Sequence, residues 1–130
     1  MPLPTGLILF AHGARDARWA SPFQAVLARV QALSPELMVR LAFLELMEPS
    51  LPQAAAELAA AGCAAVTVQP MFLGTGGHLR RDLPLLLEGL RERHPAVDWR
   101  LQAAIGEHPV VMEAMARAAA GPALGTGDAA

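Results

Sequence analysis

Apolar positions along the chain gather into short continuous runs, separated by longer stretches of helical period. Residues 7–11, LILFA, form one run between Thr5-Gly6 and His12-Gly13, the pattern of a strand buried on both faces. Ser21-Pro22 then offers a capping residue and a first-turn proline. Phe23, Val26, Leu27, Val30 and Leu33 follow at helical spacing until Ser34-Pro35. Residues 37–45, LMVRLAFLE, read as a second strand, and residues 50–62 as a helix capped by Ser50 and stopped by Gly62. A third strand is predicted over 64–73, with Pro70 near its end. Residues 79–93 read as a helix whose regular part is expected from Asp82, with Pro84 in its first turn. A fourth strand over 97–105 and a closing helix over 108–120, opened by His108-Pro109, complete the pattern.

Strands alternating with helices predict an α/β fold: a parallel sheet of four strands with helices on both faces. At 130 residues the chain is expected to be one domain over 1–120, large enough to bury a core without metal or disulfide support. The remaining 121–130, GPALGTGDAA, has the composition of a disordered tail. A net charge of −2 removes the basic footprint that nucleic acid requires. The single cysteine, Cys63, excludes an intrachain disulfide and any CxxC site, and reads as a small core residue. The opening segment has no basic stretch before its apolar run, and no run approaches membrane-spanning length. The expectation is therefore a cytoplasmic protein with no membrane partner.

In open α/β sheets ligands collect beyond the carboxyl ends of the strands, so the strand-to-helix junctions matter most. They read AHGARD, FLELMEPS and FLGTGGHLRRD, and they carry His12, Glu45 and His78 at equal steps along the chain. Neighbouring parallel strands lie about 5 Å apart, so side chains from three such junctions can converge. Two imidazoles and a carboxylate suit Co²⁺, Fe²⁺, Ni²⁺ or Zn²⁺; equally, each histidine alone reads as a hydrogen-bonded structural residue. Glu48 competes with Glu45 but lies deeper in its loop, before Pro49-Ser50. His94 reads as a helix-end or surface residue, and His108 as the opening of the last helix or a group lining the site. Other chemistries fit less well. Ala11 stands where a histidine phosphatase needs arginine, no GxSxG elbow exists, and GTGG follows the third strand as neither GxGxxG nor a P-loop.

The segments LILFAHGARD, FLELMEPSL, VTVQPMFLGTGGHLRRDLP and AAIGEHPVVMEAMARA resemble, in order and over about residues 7–118, the class II chelatases. The resemblance is specifically to the small sirohydrochlorin cobaltochelatase (CbiX) family. Its most specific parts are the His-Gly-x-Arg-Asp start and the Gly-His-x-x-x-Asp-hydrophobic-Pro block, while Ala11 and Ala14 depart from the expected Gly and Ser. The resemblance implies a chelatase-like three-layer fold and ATP-independent insertion of a divalent metal into sirohydrochlorin, toward cobalamin or sirohaem. Co²⁺ is the first expectation, with Fe²⁺ or Ni²⁺ as alternatives, and no permanent cofactor is expected. His12 and His78 become the metal-binding and catalytic histidines, and Glu45 an acidic metal ligand. Gly74, Gly76 and Gly77 would let the backbone bend around a flat macrocycle. Arg15, Arg80 and Arg81 would orient its carboxylates, or else serve as ordinary surface charge. Phe72 and Leu73 would wall the ring or pack the strand end. A single-domain member is expected to pair as a homodimer, for which Val110, Val111, Met112 and Met115 offer apolar surface. A carrier of metal or tetrapyrrole, using the same His/Glu/His ligands without turnover, is the alternative.

Overall fold

The computed structural model describes residues 3–125. Four parallel strands, β1 (Thr5–Ala11), β2 (Met38–Phe43), β3 (Ala65–Pro70) and β4 (Asp98–Leu101), form one sheet in the order β2-β1-β3-β4. Four helices follow them in turn: α1 (Ser21–Leu33), α2 (Leu51–Ala60), α3 (Gly77–Arg93) and α4 (Pro109–Ala123). The expected α/β class, strand number and direction all hold. No helix among the described residues is long and apolar enough to cross a membrane.

The strand order places the helices. Parallel crossovers are right-handed, so the step from β1 to β2 and the reverse step from β2 to β3 put their helices on opposite faces. The packing agrees. Ile8, Phe10, Ala42, Val66, Val68 and Trp99 form the main core with Leu51, Leu58, Leu83, Leu87 and Leu90 of α2 and α3. The opposite face holds a smaller cluster of Ala11, Ala20 and Phe43, packed by Trp19, Phe23, Leu41, Met47 and Met71 beside α1. Neither α1 nor α4 contains a fully buried residue.

Local chemistry explains where the elements begin and end. Ser50 accepts from the Gln53 N–H while the Gln53 side chain accepts from the Ser50 N–H, so α2 opens on a reciprocal cap. Gly62, just past its end, takes a left-handed φ of 88°, as the stop signal anticipated. His108 caps α4 through Nδ1, which accepts from the Val110 N–H. His94 ends α3 and lies beside the Trp99 ring.

Some boundaries differ from expectation. The strands end earlier than 45, 73 and 105, at Phe43, Pro70 and Leu101, although single main-chain bonds run on at Leu44, Glu45, Met71 and Gln102. Ser21 does not cap α1. Asp16 caps a 3-10 turn, Ala17–Ala20, that runs straight into the helix, and Ser21 is already αR with its N–H bonded to the Arg18 carbonyl. α3 starts at Gly77 and carries Pro84 internally. The missing N–H removes one bond, to the carbonyl of Arg80; both residues are exposed, so water can satisfy that oxygen. α4 continues past 120 to Ala123, so the start of the expected tail is helical. Residues 126–130 of that tail lie outside the described residues.

Cys63 is buried against Leu58, Val66 and the underside of Gly6. Burial pushes its thiol pKa up, only partly offset by the Arg40 charge. The folded state therefore keeps the thiol proton to higher pH than the unfolded chain, and stability should fall as pH rises past the ordinary thiol range of about 8.5. Alkylation of native protein should be slow and become fast in denaturant. Rapid modification of the native protein would show the thiol to be accessible.

Candidate functional site

β1 lies between β2 and β3, so the chain reverses its direction of travel across the sheet beside it. In open sheets the crevice at such a reversal is the ligand site. The register carries Ala11 opposite Phe43 and Phe10 opposite Pro70, bringing the ends of β1, β2 and β3 to one edge. His12 follows β1, Glu45 follows β2 and His78 follows β3.

The first two junctions are held together by main chain. The ladder continues past the strands, with Leu44 N–H donating to the Ala11 carbonyl at 2.9 Å and Glu45 N–H to the His12 carbonyl at 3.0 Å. Gly13 turns away with φ 100°, and a Cβ there would collide with the Glu45 carbonyl. Only glycine combines that conformation with that approach. The result is a hydrogen bond between His12 Nε2 and Glu45 Oε1 at 2.9 Å. The edge of the His12 ring meets Phe72 at a centroid distance of 6.5 Å, and Phe72 in turn packs on Phe10 of the core.

The third junction works through its helix. Because α3 starts at Gly77, His78 and Asp82 share a face one turn apart, and His78 Nε2 lies 3.1 Å from Asp82 Oδ2. Both pairs line one open cleft of about 610 Å³, whose remaining lining is Leu44, Leu79, Leu85 and Leu86. A carboxylate can only accept, so in the hydrogen-bonded His12–Glu45 pair Nε2 carries the imidazole proton and Nδ1 the lone pair, while His78 and Asp82 stand at ion-pair distance.

The structure thus brings His12, Glu45 and His78 to one cleft, arranged as two imidazole–carboxylate pairs. Among the described residues no three His, Cys, Asp or Glu side chains come together as a ligand set for one ion. Glu48 lies elsewhere, with Pro49, Gln53 and Glu57. Arg15, Gly76, Gly77, Arg80 and Arg81 do not line the cleft. Gly76 caps α3, Gly77 opens it, and Arg81 Nε donates to the Gly77 carbonyl at 3.3 Å. Added methyl groups at Gly74, Gly76 and Gly77 would touch nothing, so nothing within the chain demands glycine there. Phe72 and Leu73 do not wall the cleft either; Phe72 buttresses His12 and Leu73 is exposed. The leucines take that place. Asp82 was not anticipated as a site residue. The signal was its spacing of four from His78, already present in the Gly-His-x-x-x-Asp block, but the helix was expected over 79–93 with its regular part only from Asp82.

Arg15 and Asp16 belong to the same loop as His12. The Arg18 guanidinium beside Asp16 holds its carboxyl below the usual range, and that exposed pair, bridged at 2.8 Å, shapes the loop as it enters α1.

Fold and site together describe an α/β domain with two imidazole–carboxylate pairs lining one cleft at the carboxyl edge of a parallel sheet. The CbiX family model matches residues 6–120, and the chain belongs to that family. It is 32% identical over 81 residues to the sirohydrochlorin cobaltochelatase of Methanococcus maripaludis, covering 62% of this chain and 56% of that protein. The sirohydrochlorin cobaltochelatase of Saccharolobus solfataricus is 33% identical over 85 residues, covering 63% of this chain and 62% of that one. The matched region thus spans less than two thirds of either relative. The crystal structure of a CbiX protein from Marinobacter aquaeolei VT8 superposes with a TM-score of 0.81 at 34% identity. That match covers 95% of this chain and 100% of the other. The sirohydrochlorin chelatase SirB of Bacillus subtilis subspecies spizizenii, in complex with cobalt, shares the fold at TM-score 0.75 and 23% identity, over 88% of this chain and 49% of SirB.

Gly13→Ala should break the His12–Glu45 pair, because either the loop or the Glu45 carbonyl must move. Backbone strain of this kind costs about 1–3 kcal/mol, so the melting temperature should drop along with Co²⁺ affinity. A Co²⁺ titration that matches the parent protein would mean that Gly13 does not set the pair.

Proposed function

We propose that the chain is a chelatase that inserts a divalent metal, Co²⁺ first with Fe²⁺ or Ni²⁺ as alternatives, into sirohydrochlorin. The observation that carries this reading is the pair of imidazole–carboxylate couples lining one leucine-walled cleft. Family membership and the names of the curated relatives support the same substrate.

Insertion requires three things of the protein. The ion must exchange water for ring nitrogens, the ring must lie against it, and two pyrrole N–H protons must pass to water in the open cleft or to an imidazole nitrogen that the ion does not occupy. The Nδ1 lone pairs of His12 and His78 hold the ion as substrate from one side, leaving positions open to the incoming nitrogens. Glu45 fixes the His12 ring and brings negative charge to the cation. Leu44, Leu79, Leu85 and Leu86 give the flat face of the macrocycle an apolar wall. The open space at Gly74, Gly76 and Gly77 leaves room for its edge, where Arg15, Arg80 and Arg81 meet its carboxylates. Two separate couples suit an ion that is handed on, whereas a carrier would keep it.

Anaerobic incubation with excess sirohydrochlorin and Co²⁺ or Fe²⁺, followed by visible spectra, tests the proposal. Turnover beyond one equivalent per chain supports the chelatase; saturation at one equivalent identifies a carrier. His12→Ala and His78→Ala should each lower the insertion rate on the order of 100-fold or more. The circular dichroism spectrum should not change, since both side chains are about half exposed or more. Near-parental turnover in either variant would falsify the assignment of these histidines.

We also propose that the working form is a homodimer. The cleft is open, and His78 in it is 88% exposed, so a bulky ring needs a second wall. α4 buries none of its residues, and Val110, Met112 and Met115 stand 70%, 49% and 39% exposed, which is surface for a copy to cover. Sedimentation at micromolar concentration should give twice the mass of the chain. A fully active species at monomer mass is the opposing result.

A further inference from the structure

The two imidazoles of the cleft are secured very differently. His12 has the continued ladder behind it, the Gly13 turn beneath it and Phe72 against its edge. His78 has none of these. Its side chain is 88% exposed, in the first turn of a helix whose cap contributes no side-chain bond. A ring so placed rotates freely about two torsions and presents either nitrogen unless something selects one. The contact that selects is Asp82 Oδ2, at 3.1 Å from Nε2.

Asp82 is itself better fixed than the ring it holds. It sits one turn into α3, beside Leu83, which is buried in the main core, and its side chain is 44% exposed. The carboxylate therefore stands at ion-pair distance from Nε2, where a small turn of the ring lets it accept the Nε2–H and leaves the lone pair on Nδ1. Histidines that ligate metals commonly donate their other nitrogen to a carboxylate, which fixes both tautomer and ring orientation. Glu45 makes that bond to His12 at 2.9 Å, and Asp82 stands 3.1 Å from His78 Nε2, within reach of the same role. One carboxylate comes from the neighbouring junction, the other from the histidine's own helix.

We propose that Asp82 is the positioning residue of His78: it holds Nε2 protonated and aims Nδ1, without touching the metal ion itself. This rests on the chelatase reading for its purpose, but not for its geometry. Without Asp82 the ring samples both tautomers and many rotamers, and only a fraction of molecules is ready to receive the ion. Metal affinity falls by that fraction.

The test uses the whole chain and Asp82→Ala, Asp82→Asn, His78→Ala and the double variant His78→Ala/Asp82→Ala. In metal-free, ¹⁵N-labelled protein at pH 8, His78 should show the Nε2–H tautomer. That preference should disappear in Asp82→Ala and persist in part in Asp82→Asn, whose amide oxygen still accepts. Titration with Co²⁺ alone should show about 10–100-fold weaker binding for Asp82→Ala, and a smaller loss for Asp82→Asn. The double variant should bind no more weakly than His78→Ala, because a positioning group has no role once its ring is gone. An unchanged tautomer and affinity in Asp82→Ala would overturn the proposal. So would a double variant weaker than His78→Ala, which would make Asp82 a ligand in its own right. Neither readout needs the tetrapyrrole. A protein that binds Co²⁺ through a positioned His78 but never metallates sirohydrochlorin would defeat the chelatase reading and leave this one standing.

Discussion

Hydrogen bonds on both edges of β1 hold the rest of the structure in relation. β2 pairs on one side and β3 on the other, so three strand ends are level at one rim. Each junction starts from that rim, and strand spacing sets how close the first two functional side chains stand, while helix spacing sets the His78–Asp82 pair. The same central placement makes β1 the most apolar strand, with Ile8, Leu9, Phe10 and Ala11 all buried. The sequence that stabilises the core and the sequence that delivers His12 are therefore one continuous segment. The ladder also outlasts the strands, since Glu45 is tied to His12 by main chain before any side chain is considered.

Around this rim the chemistry divides between polar couples and an apolar wall. Each imidazole has one carboxylate, close enough to fix a tautomer and exposed enough to remain in contact with water. Half-exposed couples avoid the heavy desolvation cost of buried charge. An incoming ion therefore need not displace a tightly held internal salt bridge. The leucines Leu79, Leu85 and Leu86 come from the same helix that carries His78 and Asp82. α3 thus supplies one imidazole, its carboxylate and most of the wall, while its buried face, Leu83, Leu87 and Leu90, anchors it to the sheet.

Much of this was legible from the residues. The run LILFA and the breaks at Thr5-Gly6 and His12-Gly13 identified β1, and βα alternation gave a parallel sheet whose carboxyl ends mattered. His12, Glu45 and His78 could be singled out on that basis. Strand order could not, since periodicity describes each element and says nothing about neighbours. The reversal beside β1 and the pairing of Glu45 with His12 both depend on it. Pro84 misdirected the start of α3: proline favours a first turn, but a helix tolerates it inside where the orphaned carbonyl is exposed. Placing its regular part only from Asp82 separated that residue from His78 and concealed the second couple. The arginines were singled out by the resemblance, and they lie outside the cleft's own lining. The leucine wall is likewise a matter of tertiary placement, because Leu85 is 62% exposed and looks like an ordinary surface residue in the helical pattern.

The contrast between the two ends of the cleft has a consequence for motion. His12 follows the central strand β1 and Glu45 the edge strand β2, and main-chain hydrogen bonds tie their two junctions together. His78 rides on the first turn of a helix preceded by a glycine-bearing loop, where local opening is inexpensive and fast. One jaw of the cleft is stiff and the other compliant. A rigid macrocycle entering such a cleft would find its registration set by the β1–β2 side and its accommodation provided by the α3 side.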